Sequence, residues 1–112
     1  MGLRRRSEFL SVARGSRVTR DAFVLQSGRR PGADADGQIG IGITVTRKIG
    51  NAVVRNRARR RLREALREVL PGPAAPGRDY VVVARPASLG QPFAQLAADL
   101  AGAFERASRR PG

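Results

Sequence analysis

Apolar residues recur along this chain with two different periods, which separate helices from strands. Between residues 54 and 70 they follow one another at intervals that place them on one side of a helix. A second helical pattern covers residues 93–107. A shorter one runs from Ser7, a typical helix N-cap residue, to Gly15. The pattern therefore predicts three helices.

Alternating apolar and small or polar residues predict four strands. Residues 39–45 (IGIGITV) place Ile and Val on one face and Gly or Thr on the other, and we expect the small-residue face to stay accessible. Residues 79–85 contain three consecutive valines, which favours a central strand buried on both faces. Shorter strands are predicted at 16–20 and 22–27. The order α-β-β-β-α-β-α is typical of an α+β sandwich, with helices against a small mixed sheet.

The length of 112 residues suits one domain with a single modest core, spanning 1–112. Within it, residues 28–38 have no periodicity and predict an exposed loop. Residues 1–6 are a basic tail, and we expect residues 108–112 to be frayed.

The charge points to a polyanionic partner. Basic residues number 22 and acidic residues 9, a net charge of +13. Many of these charges lie on the helix at 54–70, where arginines follow each other at i and i+4, for example Arg55 with Arg59 and Arg59 with Arg63. Like charges at this spacing repel, and a phosphate backbone compensates them. Asn51 suits a helix N-cap, and Asn56, on the outer face, can contact a base edge or a 2′-hydroxyl.

Several other functions are not supported by the composition. The sequence has no Cys and no His, so the usual metal ligands and the usual general base are absent. The carboxylates are scattered along the sequence, so we expect no catalytic residue and no metal site in the protein itself. No apolar run approaches the ~20 residues of a membrane span, so we expect a cytoplasmic protein without a membrane partner. Charge and pattern leave open a structural RNA-binding protein of ribosomal type, a DNA-binding module and, least favoured, a protein-only nuclease.

The ordered motifs around the basic helix closely resemble the protein subunit of bacterial ribonuclease P. The motifs that carry the resemblance are Thr46-Arg47-Lys48, Gly50-Asn51-Ala52-Val53, Arg55-Asn56-Arg57 and Arg59-Arg60-Arg61-Leu62-Arg63-Glu64. Further residues fit the family at Phe9, Gly15, Phe23-Val24-Leu25, Asp79-Tyr80 and Ala84-Arg85, so the resemblance covers essentially the whole chain.

The resemblance implies a fold and a function that the pattern alone does not give. The fold would be ribosomal protein S5 domain 2-like, with a left-handed β-α-β crossover. The chain would be one subunit of an endoribonuclease, a hydrolase, whose catalyst is a large RNA that uses Mg²⁺ to remove the 5′ leader of precursor tRNA. We expect a monomer, one per catalytic RNA, with no organic cofactor.

The resemblance also assigns residues to two surfaces. The surface for the catalytic RNA would contain Arg47, Lys48, Asn51, Arg55, Asn56, Arg57, Arg60 and Arg63. The precursor-tRNA leader would bind in a cleft of the first helix and the open sheet face, at Phe9, Arg14, Val24 and Gln26. The chain has Ala13 and Gln26 where some members have aromatic rings. Leader binding is therefore expected to depend more on arginine and hydrogen bonds than on base stacking.

Overall fold

The described residues form a four-stranded mixed sheet with two long helices packed on one of its faces. The computed structural model describes residues 16–29, 39–70, 72, 74 and 77–109. The predicted first helix, with Phe9 and Arg14, lies outside the described residues, as do the tail at 1–6, most of the loop at 28–38 and the last three residues.

The described elements confirm the predicted strands and the second and third predicted helices. The strands are β1 (Ser16–Thr19), β2 (Phe23–Arg29), β3 (Gly40–Thr44) and β4 (Arg78–Ala84), and the helices are α1 (Ala52–Val69) and α2 (Phe93–Arg109). Two 3₁₀ turns, Arg47–Ile49 and Pro86–Leu89, precede α1 and α2.

The strands lie in the order β1-β2-β4-β3. β1 with β2 and β2 with β4 are antiparallel, whereas β3 and β4 are parallel. Parallel neighbours need a crossover connection, and α1 provides it. β4 is central, as its valines predict: Val81 and Val82 are buried and Val83 is half-buried. The left-handed sense of the crossover stays a prediction.

The core lies between the sheet and the two helices. α1 contacts β3 and β4, and α2 contacts β1 and β2. The apolar side of α1 is buried at Ala58, Leu62, Ala65 and Leu66. From the sheet, Tyr80 stacks at a tilt on Phe104 of α2, with ring centroids 4.7 Å apart. The core therefore anchors α1 by the middle of its apolar side, and the opposite side of the helix faces outward.

The opposite, outer face of the sheet is less open than its small residues predict. Gly40 and Gly42 are buried, and so are Asp79 and Val81, which face them from β4. The expectation of an accessible small-residue face is therefore wrong for these glycines, because the alternation of small residues defines a face of the strand but not whether that face is covered. The more open part of this face is at the other end of the strands, where Thr19 is exposed and Val24, Val83 and Thr44 are half-buried.

Candidate nucleic-acid interface

Gly50 and Asn51, the two residues that precede α1, fix where this helix begins. The Asn51 side-chain oxygen accepts a hydrogen bond from the Val54 backbone N–H at 3.0 Å, so Asn51 is the N-cap. Gly50 has φ 153°, a conformation that favours glycine, and a Cβ at this position would lie 2.8 Å from Cγ1 of Val54. The pair determines where the helix begins and hence which side chains its outer side presents.

The outer side of α1 forms a cationic face, which we define as Asn56, Arg57, Arg60, Arg63 and Arg67. All five side chains are exposed. Within the described part of the chain, the four arginines have no hydrogen-bond or ion-pair partner, and neither Glu64 nor Glu68 forms an ion pair. Although Glu64 and Glu68 lie one helical turn apart among these arginines, their carboxylates do not neutralise them. The positive charge of this face stays available to an external anion.

The 3₁₀ turn before α1 extends the cationic face. Arg47 and Lys48 are exposed, and no acidic residue lies in the turn. Thr46 precedes it in extended conformation, and the Gly50 N–H closes it on the Arg47 carbonyl at 3.2 Å. Two further cations are thus held beside the helix start.

Three other arginines of α1 are half-buried. Arg55 has its Nε–H buried, with no partner among the described residues, while Arg59 donates from Nη1 to the Asn56 side-chain oxygen at 3.2 Å. Asn56 therefore has its carbonyl oxygen occupied within the helix, and its side-chain N–H₂ is the group that can donate to a ligand.

Arg61 connects α1 to the segment before α2. Its Nε donates to the Ser88 carbonyl at 2.9 Å, and its Nη2 donates to the Gln91 carbonyl. Gln91 in turn donates from Nε2 to the Asp99 carboxylate at 3.2 Å. The planar guanidinium suits this double contact, because its N–H groups are fixed in a fork. Arg61 is therefore a structural residue, although it belongs to the densest basic run of the sequence.

The structure groups the residues predicted to face the catalytic RNA around the start and outer side of α1. Arg47, Lys48, Asn51, Asn56, Arg57, Arg60 and Arg63 are exposed, and Arg55 is half-buried. Arg67, which was not included in that set, lies on the same face and is exposed. Its signal was present in the spacing, because Arg67 follows Arg63 by four residues and Arg60 by seven.

Two of the four residues predicted for the leader cleft are described, and they lie on the other side of the sheet. Val24 and Gln26 of β2 are both half-buried on its outer face. Opposite them in the antiparallel register are Thr19 and Arg17 of β1, both exposed. Phe9 and Arg14 are outside the described residues, so the cleft stays a prediction.

Two further arginines lie at the open end of the outer face, and they are not among the residues predicted from the sequence. Arg85 follows β4 and is exposed, and its Nη1 donates to the Arg20 carbonyl at 3.0 Å. Arg20 follows β1, and its own Nη1 donates to the Thr19 carbonyl at 3.0 Å. The available signal was their position directly after predicted strands, but only the observed strand order places them next to each other.

Neither a metal centre nor a membrane segment is found in the described residues. No group of three or more His, Cys, Asp or Glu side chains there could hold a metal ion, and no helix is long and apolar enough to cross a bilayer.

The sequence and the fold both match known proteins. The Ribonuclease P family profile matches residues 1–108. A "Ribonuclease P protein component" of Ruegeria pomeroyi is 46% identical over 105 residues, covering 93% of this chain and 83% of the relative. One of Gluconacetobacter diazotrophicus is 46% identical, covering 96% and 91%. The solved structure of the RNase P protein from Thermotoga maritima superposes with a TM-score of 0.78 at 27% identity, covering 100% of this chain and 99% of that one.

Proposed function

Because this chain belongs to the ribonuclease P protein family and is a protein component of ribonuclease P, we propose that its cationic face binds the catalytic RNA of that enzyme. The single observation that supports this assignment is the outer side of α1, where four exposed arginines have no partner among the described residues. Arg47 and Lys48 lie beside the helix start and extend the same surface.

The chemistry of this face suits an RNA backbone. Each arginine that neutralises a phosphate releases condensed counterions, so affinity falls steeply as salt rises. The guanidinium fork can also donate two hydrogen bonds to one phosphate. Asn56 adds the N–H₂ of its side chain, which can donate to a base edge or a 2′-hydroxyl. The buried apolar side of α1 keeps all these groups in one fixed arrangement.

The precursor-tRNA leader is proposed to bind on the outer face of the sheet. Val24 and Gln26 supply the half-buried floor, and the proposal adds Phe9 and Arg14 from the segment before β1. At the open end of the same face, Arg20 and Arg85 supply positive charge for leader phosphates. Gln26 offers hydrogen bonds rather than a ring, so its contact with an unpaired base is polar.

The chain supplies binding and charge, and the catalytic centre is proposed to lie in the RNA. Mg²⁺ in the holoenzyme would be bound by that RNA, since the described residues of this chain contain no carboxylate cluster that fits a magnesium ion. The cations of this chain lower the repulsion between the RNA and its polyanionic substrate. We further propose a cytoplasmic enzyme without membrane attachment, with one monomeric protein per RNA.

The alternative functions lose their support once the family is known. A ribosomal structural protein or a DNA-binding module would share the charge but not the family profile over residues 1–108. A protein-only nuclease that uses a metal ion would need a cluster of ligands, and no group of three or more His, Cys, Asp or Glu side chains that could hold a metal ion is present among the described residues.

A reconstitution assay tests the proposal. The protein is added to a bacterial ribonuclease P RNA and precursor tRNA at a low Mg²⁺ concentration, and cleavage at the mature 5′ end is measured. We expect a clear rise in the cleavage rate with the protein, because its charge substitutes for part of the ionic screening. An unchanged rate would contradict the proposed function.

Two controls test separately the surface proposed for the catalytic RNA and the surface proposed for the leader. Replacing both Arg60 and Arg63 by Ala should weaken binding to the catalytic RNA and lower the salt dependence of that binding by about one counterion per arginine. A precursor tRNA with a one-nucleotide leader should gain less from the protein than one with a long leader. Equal gain for both substrates would argue against the leader surface.

A further inference from the structure

The described surface has one large apolar side chain that is strongly exposed, Val53, with 78% of its surface accessible. Val53 is in the first turn of α1. On a helix with ~100° between residues, it projects on the same outer arc as Asn56, Arg57 and Arg60, which follow it by three, four and seven positions. An aliphatic side chain thus lies within the cationic face.

Packing within the protein does not account for valine at this position. Val53 is not a member of the core, nor of the partly buried residues packed against the core. The next residue, Val54, does have an internal role, because it lies against Gly50. Helix propensity does not favour Val53 either, since a β-branched residue is less favourable than alanine at an exposed helical position.

We propose that Val53 packs against the face of an unpaired nucleobase of the catalytic RNA, an inference that rests on the proposed function of the cationic face. Paired RNA presents phosphates and 2′-hydroxyls to a protein, whereas unpaired bases present an apolar ring face. Arg57 and Arg60 beside Val53 neutralise the flanking phosphates and hold the strand close. Val53 therefore confers a preference for RNA with an unpaired base at this point, which charge alone does not provide.

The surroundings of Val53 favour an RNA strand over a second copy of this chain as its binding partner. A second copy of this chain would bring another cationic face against this one, and the two would repel. An RNA strand has the opposite charge and is continuous with the surface already proposed for α1. Burial of one aliphatic side chain against a base adds apolar contact area to that interface.

The substitution Val53→Thr tests the inference with little change in shape. Threonine is isosteric with valine and has a similar helix propensity, so thermal unfolding should be unaffected. Binding to a bacterial ribonuclease P RNA should weaken about three- to tenfold, because a methyl group in apolar contact becomes a hydroxyl. The salt dependence of binding should stay the same, since no phosphate contact is lost. Val53→Ile should bind as the natural protein does.

Two comparisons make the result specific. A fully paired RNA duplex of similar length should bind Val53→Thr and the natural protein equally, because it has no unpaired base. Ala94→Thr, at an exposed position of the other helix, α2, should leave binding to the catalytic RNA unchanged.

Three outcomes would overturn the inference. Unchanged affinity of Val53→Thr for the catalytic RNA would show that Val53 makes no energetic contact. An equal loss on the paired duplex would show that the contact is not with an unpaired base. If the natural protein itself did not prefer the catalytic RNA to the duplex, the proposed function would fail as well. If that preference and the effect of Arg60→Ala are both seen, a negative result for Val53 concerns Val53 alone.

Discussion

Neighbouring side chains of α1 have different tasks although they are of the same type. Arg60 projects outward and has no partner among the described residues, whereas Arg61 donates two hydrogen bonds to backbone carbonyls before α2. Asn51 caps the helix and is at the same time exposed beside Lys48. Residue type and spacing therefore do not decide the role of a residue here, and its internal hydrogen bonds do.

Asn51 allows the structural role and the RNA-binding role to be separated by two substitutions. Asn51→Ala removes the cap and should lower the free energy of unfolding by about 1 kcal/mol. Asn51→Asp keeps a capping oxygen and adds a negative charge at the helix N-terminus, so stability should be equal or higher. The same charge opposes a phosphate, so RNA affinity should fall for Asn51→Asp. Chemical denaturation and a binding titration measure the two effects, and a parallel loss of both for Asn51→Asp would contradict this division.

At the residue scale, the sequence predicts which side chains of the site are exposed, but not which hydrogen-bond partners the other side chains have within the protein. The helical period places Asn56, Arg60 and Arg63 outward, and they are exposed. The role of Arg61 could not be predicted, because its partners are 27 and 30 residues further along the chain. No local pattern indicates which backbone carbonyls a distant turn will present. The roles of the predicted contact residues stay predictions until RNA binding is measured.

At the scale of the element, α1 is a core helix and an interface at the same time. Leu62 and Ala65 are fully buried on one side, and the cationic face covers the other. The repulsion among its arginines is opposed by the packing of the apolar side and by the connection of Arg61 to the segment before α2.

Arg61 and Arg60 form a matched pair for testing this arrangement. Arg61→Ala should lower the free energy of unfolding by about 1–3 kcal/mol, since two hydrogen bonds from a charged donor are lost. Arg61→Lys should recover only part of this loss, because an ammonium lacks the planar fork. Arg60→Ala should leave stability unchanged or slightly higher, since a repulsion is removed. Denaturant unfolding of the three variants checks these values.

In RNA binding, the same variants should rank in the opposite order: Arg60→Ala should have the larger effect and Arg61→Ala the smaller one. Arg60→Ala should reduce the salt dependence of RNA binding by about one counterion. Arg61→Ala, measured where the variant is folded, should leave the salt dependence close to that of the natural protein. An equal reduction for both variants would indicate that Arg61 also contacts phosphate.

At the scale of the whole molecule, the net charge of +13 connects stability to the presence of anions. Self-repulsion destabilises a compact state of this charge, and an anion that binds only the native state stabilises it. We expect the thermal midpoint to rise with sulfate or phosphate concentration, more than with chloride at equal ionic strength. The variant with both Arg60 and Arg63 replaced by Ala should respond less. A midpoint that depends on ionic strength alone would show that no specific anion sites exist.

The individual strands and helices could be predicted from the sequence more fully than their arrangement in the fold. Three consecutive valines indicated that β4 is central, and the structure confirms it. Periodicity does not indicate that β3 pairs with β4 rather than β2, because strand order depends on contacts between distant residues. The burial of Gly40 and Gly42 was missed for a related reason: the alternation of small residues gives a face of the strand but not what covers that face.

The topology of β3 also has a kinetic consequence. Among the described strands β3 pairs only with β4, and α1 lies between them in the chain. The β1–β2 pair is local, whereas both pairings of β4, with β2 and with β3, need the closure of a long loop that contains α1, the most repulsive segment of the chain. This closure is expected to be a late step of folding. A polyanion that screens α1 should therefore speed refolding as well as stabilise the product, so assembly with RNA and completion of the sheet would be coupled in time.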